Sequence, residues 1–224
     1  MSRSTIAAVT IFLFLLADQL LKIYIKTSMQ LGEEFGIFGA DWARIHFTEN
    51  EGMAFGMTFG GNYGKLFLTL FRIIAVGFIG YYLLTLIRHK VSKGLVFSIA
   101  LIFAGAMGNI IDSVFYGLIF NESYYQVATL FPSEGGYAPL MYGKVVDMFY
   151  FPMFQGYYPT WFPIVGGDYF LFFRPVFNLA DSAITAGVLT VLLFQRRVFG
   201  HHHEQTAETA TTENPPVTDN SNEE

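Results

Sequence analysis

The sequence predicts an all-α membrane protein of four transmembrane helices, with a small extracytoplasmic β element and both termini in the cytoplasm. Three observations carry this expectation. The 224-residue chain is 53% hydrophobic and only 14% charged, with a mean hydropathy of +0.41. Soluble domains carry about 25% charged residues. Four apolar segments have the roughly 20 residues that a helix needs to cross a bilayer core of about 30 Å. Lys and Arg crowd one set of connecting segments, as they do on the cytoplasmic side of membrane proteins.

The four segments are residues 5–25, 66–87, 94–111 and 175–195. The first contains Asp18 and Lys22, the second is broken only by Arg72, the third has no charge, and the fourth has Asp181. Pro175 suits the first turn of a helix, where its missing N–H is no loss. With both termini inside, the inner segments 1–4, 88–93 and 196–200 hold six bases and no acid in 15 residues. The outer segments 26–64 and 113–174 hold only four bases in 101 residues, Lys26, Arg44, Lys144 and Arg174. A cleaved signal peptide is the rival reading of Arg3, the apolar run 6–16 and Ala17. The apolar pattern continues past Asp18 to Ile25, which argues for a retained span.

Residues 1–199 form one integral-membrane domain on this reading. Residues 200–224 carry six acids, no Lys or Arg, and two prolines. They read as a disordered acidic cytoplasmic tail, with His201 to His203 a solvated run. The tail accounts for the formal charge of −5, since the body nets +1. Nothing resembles a basic nucleic-acid-binding face. The absence of cysteine excludes disulfides, thiolate metal sites and cysteine nucleophiles. In the outer segments, residues 44–48 and 53–59 read as short extended stretches. Segment 113–174 holds half of the chain's 40 aromatic residues. It reads either as a layer on or in the outer leaflet or as a small β-rich insertion with an aromatic core.

Ionisable groups within spans are expensive, which makes them functional candidates. Asp18 and Lys22 are four apart and share a helix face. Asn109 and Asp112 end the third segment, and Asn178 and Asp181 begin the fourth. Two Asn-x-x-Asp clusters at the same depth point to a shared polar site, and Gly105 and Gly108 permit close helix contact there. Asp147 follows Lys144-Val-Val in a short strand-like run between them. Ser113 and Ser182 lack a nearby base, so a serine or metal hydrolase is poorly supported. Paired carboxylates remain. Two of them at close range share one proton: the ionised one activates water and the protonated one donates to the carbonyl under attack.

These residues resemble the lipoprotein signal peptidase family, signal peptidase II. The matching motifs are Asp18-Gln-Leu-Leu-Lys22, Asn50-Glu-Gly52-Met-Ala54-Phe55-Gly56, Gly108-Asn109-Ile-Ile-Asp112, Val145-Val146-Asp147 and Phe177-Asn178-Leu-Ala180-Asp181. Each is short, but five in order are specific. The resemblance implies an aspartyl protease of the bacterial cytoplasmic (inner) membrane. It would cleave the signal peptide of diacylglyceryl-modified prolipoproteins on the N-terminal side of the lipidated Cys, with its site at the extracytoplasmic face. It implies Asp147 and Asp181 as the catalytic pair. Asn50, Gly52, Asn109, Asp112 and Asn178 would support the pair or the substrate, and Asp18 and Lys22 would support the structure. It implies no metal and no cofactor. Membrane lipids are expected partners, and globomycin-like cyclic peptides expected inhibitors.

Two departures from the family pattern stand out. The family's Arg after Asp112 is Ser113 here, and Arg174 is the expected replacement. The intervals from Asp112 to Asp147 and from Asp147 to Asp181 are longer than the family's compact pattern, so the aromatic segment reads as insertion. The rival function is a transporter or cation pathway through Asp18, Asp112 and Asp181. It predicts acids spread through the membrane depth, whereas these cluster at the outer ends.

Overall fold

The computed structural model describes residues 1–51, 61–172 and 175–199. Gly52, the extended stretch expected over 53–59, Arg174 and the tail 200–224 lie outside them.

Helix α1 (Arg3–Ser28) starts at Ser2, whose hydroxyl accepts the Thr5 N–H at 3.0 Å, a side-chain cap for an otherwise unpaired donor. Its outward residues are apolar: Phe12, Leu13, Leu16 and Leu20 are exposed, while Asp18 and Lys22 are buried. That inversion suits a helix whose solvent is lipid. After α1 come β1 (Glu34–Gly36), a 3-10 turn (Ile37–Gly39) and β2 (Arg44–Asn50). Helix α2 (Gly61–Arg88) turns back through Lys90, at φ 54°, into α3 (Lys93–Ile111), which Ser92 caps. A π turn (Asp112–Tyr116) and the single turn α4 (Gly117–Ile119) extend α3. Strands β3 (Val145–Tyr150), β4 (Phe154–Tyr157) and β5 (Tyr169–Phe172) precede α5 (Leu179–Phe199).

Three helices, Arg3–Ser28, Tyr63–Arg88 and Lys93–Ile119, are long and apolar enough to cross a membrane; the apolar stretch of α5, Leu179–Leu193, is shorter. The third runs beyond residue 111, where an outer loop was expected. The widened π turn frees carbonyl groups, and the chain after it occupies them. Gly143 N–H donates to Ser113 O at 2.8 Å, Met141 N–H to Val114 O at 3.0 Å and Ala138 N–H to Gly117 O at 3.0 Å. The fourth helix begins at Leu179, not at Pro175. Phe177 instead pairs with the β3 backbone, its N–H donating to Phe149 O at 3.0 Å, and that pairing holds residue 177 extended.

Helix α3 is the hub, packing against α1, α2 and α5. A Cβ on Gly105 would meet Ala180 O, one on Gly108 would lie 2.6 Å from an Asp18 oxygen, and one on Gly187 would lie 2.7 Å from Ser98 O. Small residues therefore set the helix spacing. The strands β1, β2 and β3 form an antiparallel sheet in that order, with Thr48 opposite Asp147 and Asn50 opposite Val145. Ile25, Met29, Phe47, Tyr116, Phe120, Val146 and Met148 make the core beneath it. A second core, with Ala7, Leu83, Leu86, Val96 and Ile99, closes the opposite end of the helices. Strands β4 and β5 pair as a separate hairpin, so the aromatic segment contains β structure.

Candidate active site

The first layer is ionic. The Lys22 ammonium lies 2.9 Å from Asp18 and 2.8 Å from Asp112, all three side chains being at most 3% exposed. A buried cation needs such partners, because removing it from water is costly. Gln19 completes the cluster. Its amide donates to Asp112 at 3.0 Å, to Asp18 at 3.1 Å and to Gly108 O at 3.3 Å, and its carbonyl accepts the Tyr116 hydroxyl at 3.2 Å. The other Asp18 oxygen accepts the Ala180 N–H at 2.9 Å. The second Asp112 oxygen accepts the Val146 N–H at 3.3 Å. The cluster thereby ties α1 to α3, to the start of α5 and to the residue before Asp147.

The second layer is a chain of amides. Lys22 donates to the Asn109 carbonyl oxygen at 3.0 Å, and the Asn109 amide donates to Asp181 at 2.8 Å. The Asn178 amide donates to Asn109 at 3.1 Å and to Asp147 at 2.7 Å. Asn50, at the end of β2, donates to the other Asp147 oxygen at 3.4 Å. Asn178 and Asp181 also cap α5 reciprocally. The Asp181 N–H donates to the Asn178 side chain at 2.9 Å, and the Asn178 N–H donates to Asp181 at 3.3 Å. This is a capping box, and it puts Asp181 in the first helical turn, where the helix dipole favours negative charge.

Asp147 and Asp181 thus stand on facing elements, cross-braced by two asparagines. Asp147 is 4% exposed, and its carboxyl is pushed up to about 7. Burial is the main cause and the Asp181 charge the second; the hydrogen bonds from Asn178 and Asn50 oppose them. A carboxyl that holds a proton near neutrality beside a carboxylate is the arrangement that acid–base cleavage requires. Among the described residues, no group of three or more His, Cys, Asp or Glu could hold a metal ion.

The structure brings Asp18, Lys22, Asn50, Asn109, Asp112, Asp147, Asn178 and Asp181 into this network. Gly52 and Arg174 lie outside the described residues. Sequence reasoning passed over Gln19, which stands next to Asp18 in the first motif. It also passed over the buried Lys26–Glu49 ion pair, where Ser123 donates to Glu49 at 2.7 Å. Burial alone would raise the Glu49 carboxyl, but Lys26 outweighs it and holds the group below its usual range. Beside the polar site, an open apolar groove runs between α2 and α3, lined by Val76, Gly77, Gly80, Phe103, Met107 and Ile110.

Comparison with known proteins follows this geometry. A family model described as Signal peptidase (SPase) II matches residues 10–196. A lipoprotein signal peptidase from Porphyromonas gingivalis is 49% identical over 192 residues, covering 85% of this chain and 83% of that protein. One from Amoebophilus asiaticus is 40% identical over 182 residues, covering 80% and 72%. A solved structure described as a bacterial membrane enzyme, obtained by the in meso method, matches with a TM-score of 0.53 and 24% identity. It covers 84% of this chain and 90% of that one, and at that identity it supports the fold alone. Taken with the family match over most of the chain, the two relatives show that this chain belongs to the signal peptidase II family of proteases.

Proposed function

We propose that this protein removes signal peptides from prolipoproteins as an aspartic endopeptidase, cutting on the N-terminal side of the diacylglyceryl-modified Cys, with Asp147 and Asp181 as the reacting pair. The observation that carries the assignment is the amide brace. Asn109 and Asn178 join Asp181 to Asp147 through hydrogen bonds of 2.7–3.1 Å. Asp181 takes the base role, since it accepts two N–H groups and sits at a helix N-terminus. It removes a proton from water as the water oxygen attacks the scissile carbonyl carbon. Asp147 donates its proton to the carbonyl oxygen. When the gem-diol collapses, Asp181 gives the proton it took from water to the amide nitrogen, Asp147 recovers a proton from a gem-diol hydroxyl, the C–N bond breaks, and the new carboxyl group and the N-terminal amine of the Cys leave.

We place the protein in the bacterial cytoplasmic membrane with four spans, both termini inside and the site at the outer face. Arg3 donates to Val91 O, so Arg3 lies at the same end as Arg88, Lys90 and Lys93. The carboxylates stand at the opposite end, where α5 begins. A 21-residue α5 is about 31 Å long at 1.5 Å per residue, about the thickness of a bilayer core. The spans would lie within α1, α2, α3 with its extension to Ile119, and α5 from Leu179, and the aromatic segment would rest on the outer leaflet. Membrane lipids surround the helices, and the α2–α3 groove offers an apolar bed for an acyl chain. Globomycin-like cyclic peptides would compete for the same site. Family membership leaves the transporter reading without support.

The test is conversion of a diacylglyceryl prolipoprotein to signal peptide and lipoprotein. Asp147→Asn and Asp181→Asn should each accumulate precursor while inserting normally. Processing at the unmodified protein's rate by either variant removes the dyad.

A further inference from the structure

Arg72 is the one charge in the second apolar segment, in the middle of α2. A charge at that position needs a reason. Residues 65, 69, 72 and 76 share one helix face at 3.6 residues per turn, and that face is turned into the protein. Lys65 pairs with Glu51, next to Asn50. Thr69, 3% exposed, donates to Met141 O at 3.2 Å. Val76, 4% exposed, packs on Ile110 and Val114. Met141 in turn donates to Val114 O, beside Ser113. The off-face neighbours Phe71 and Ile74 are exposed, at 58% and 59%. Arg72 is half-buried between Thr69 and Val76. It therefore faces the stretch of α3 where the family pattern has an arginine and this chain has Ser113. The Ser113 hydroxyl is spent on Asn109 O, at 2.9 Å.

The surrounding charges leave this arginine a defined task. Lys22 is engaged by Asp18 and Asp112. Arg72 is within electrostatic reach of Asp181 and, more weakly, of Asp147. We infer that Arg72 is a positioning residue for the dyad, a cation supplied from the inward face of α2 that stabilises its singly ionised state. The inference rests on the reading of Asp147 and Asp181 as the reacting pair.

The experiment is the pH profile of prolipoprotein processing, kcat/KM against pH, for the full chain and its Arg72→Gln and Arg72→Lys variants. Among the described residues, the charged groups around the dyad and Arg72 are Asp18 and Lys22 on α1, Asp112 at the start of the π turn, and the Glu51–Lys65 pair on the Arg72 face of α2; all stay unchanged. Loss of the cation makes ionisation of the pair harder, so Arg72→Gln should move the acid limb to higher pH by about one unit and lower kcat. Arg72→Lys keeps the charge and should keep the limb in place. An unmoved acid limb in Arg72→Gln, or a limb displaced equally in Arg72→Lys, overturns the inference. If Arg72→Gln does not insert, the Arg72→Lys limb decides alone: at the unmodified position it supports the inference, and displaced it overturns it. Inactive Asp147→Asn and Asp181→Asn with an unmoved Arg72→Gln limb would refute this inference and leave the dyad standing. Active dyad variants would refute the reading beneath it.

Discussion

Asp112 and Asp181 each close an Asn-x-x-Asp motif near the same end of the helices, and the surroundings of the two carboxylates differ. Asp112 is 0% exposed, with its oxygens taken by the Lys22 ammonium, the Gln19 amide and the Val146 N–H. Asp181 is half-buried and accepts amide hydrogens from the Asn109 side chain and the Asn178 backbone. The asparagines are crossed as well. Asn109 serves the aspartate of the other motif, and Asn178 serves Asp147. A buried ion pair of this kind holds strands and helices in place, because each charge has its partner within hydrogen-bond distance and removing either one leaves the other uncompensated. The same four-residue spacing thus yields a carboxylate paired with an ammonium at one site and one held by neutral amides at the other, and the second is the one proposed to react.

The sharpest way to break this comparison is to neutralise the two acids in turn. Asp181→Asn should lower processing by about 10³-fold, within the range for loss of an acid–base group, and leave thermal unfolding in detergent nearly unchanged. Asp112→Asn should do the reverse, lowering the unfolding midpoint while retaining much of the rate. Lys22→Met comes next. It strands Asp18 and Asp112 without a cation, and should destabilise the protein by about 3–5 kcal/mol, read as a lower melting temperature. Gly108→Ala is smaller. Its methyl would press on Asp18, 2.6 Å away, and overpacking of that kind costs about 1–3 kcal/mol. The smallest effect sharpens the other half of the comparison. Asp147 must keep its proton to act as donor, and its carboxyl is raised to about 7, so kcat/KM should fall as pH rises through that value. The Asn50 hydrogen bond opposes the shift. Asn50→Ala should therefore carry the alkaline limb upward, by about half a unit.

Much of the site was legible because membrane chemistry makes polar residues conspicuous. In helices lined by Phe12, Leu13, Phe71 and Leu192, an Asp or Asn stands out, and the motif spacing around Asp18, Asp112 and Asp181 was read directly. Gln19 was not, since an uncharged amide beside an aspartate carries no signal of its own. The start of α5 was misplaced at Pro175 because a proline that suits a first turn is equally content in an extended strand. The pairing of Phe177 with Phe149 decides between them, and that partner is 28 residues away in sequence. The aromatic segment was ambiguous for a related reason. Aromatic residues suit both a bilayer interface and a β hairpin, and the pairing of Phe154 with Phe172 resolves the latter locally.

What the sequence determined by itself was the medium, the class and the cast. An apolar, cysteine-free chain with its bases grouped at one end has to satisfy its backbone within helices, and its few acids have to mean something. What the tertiary structure decided was which groups surround each acid. Asp112 and Asp181 have the same side chain and the same local motif, so no local rule separates them. Lys22 reaches one of them from α1, and the Asn109 amide reaches the other across the α3–α5 contact that Gly105 and Gly108 keep close. A carboxylate's chemistry is set by the charges and dipoles within a few ångströms, and those come from parts of the chain that only folding brings together.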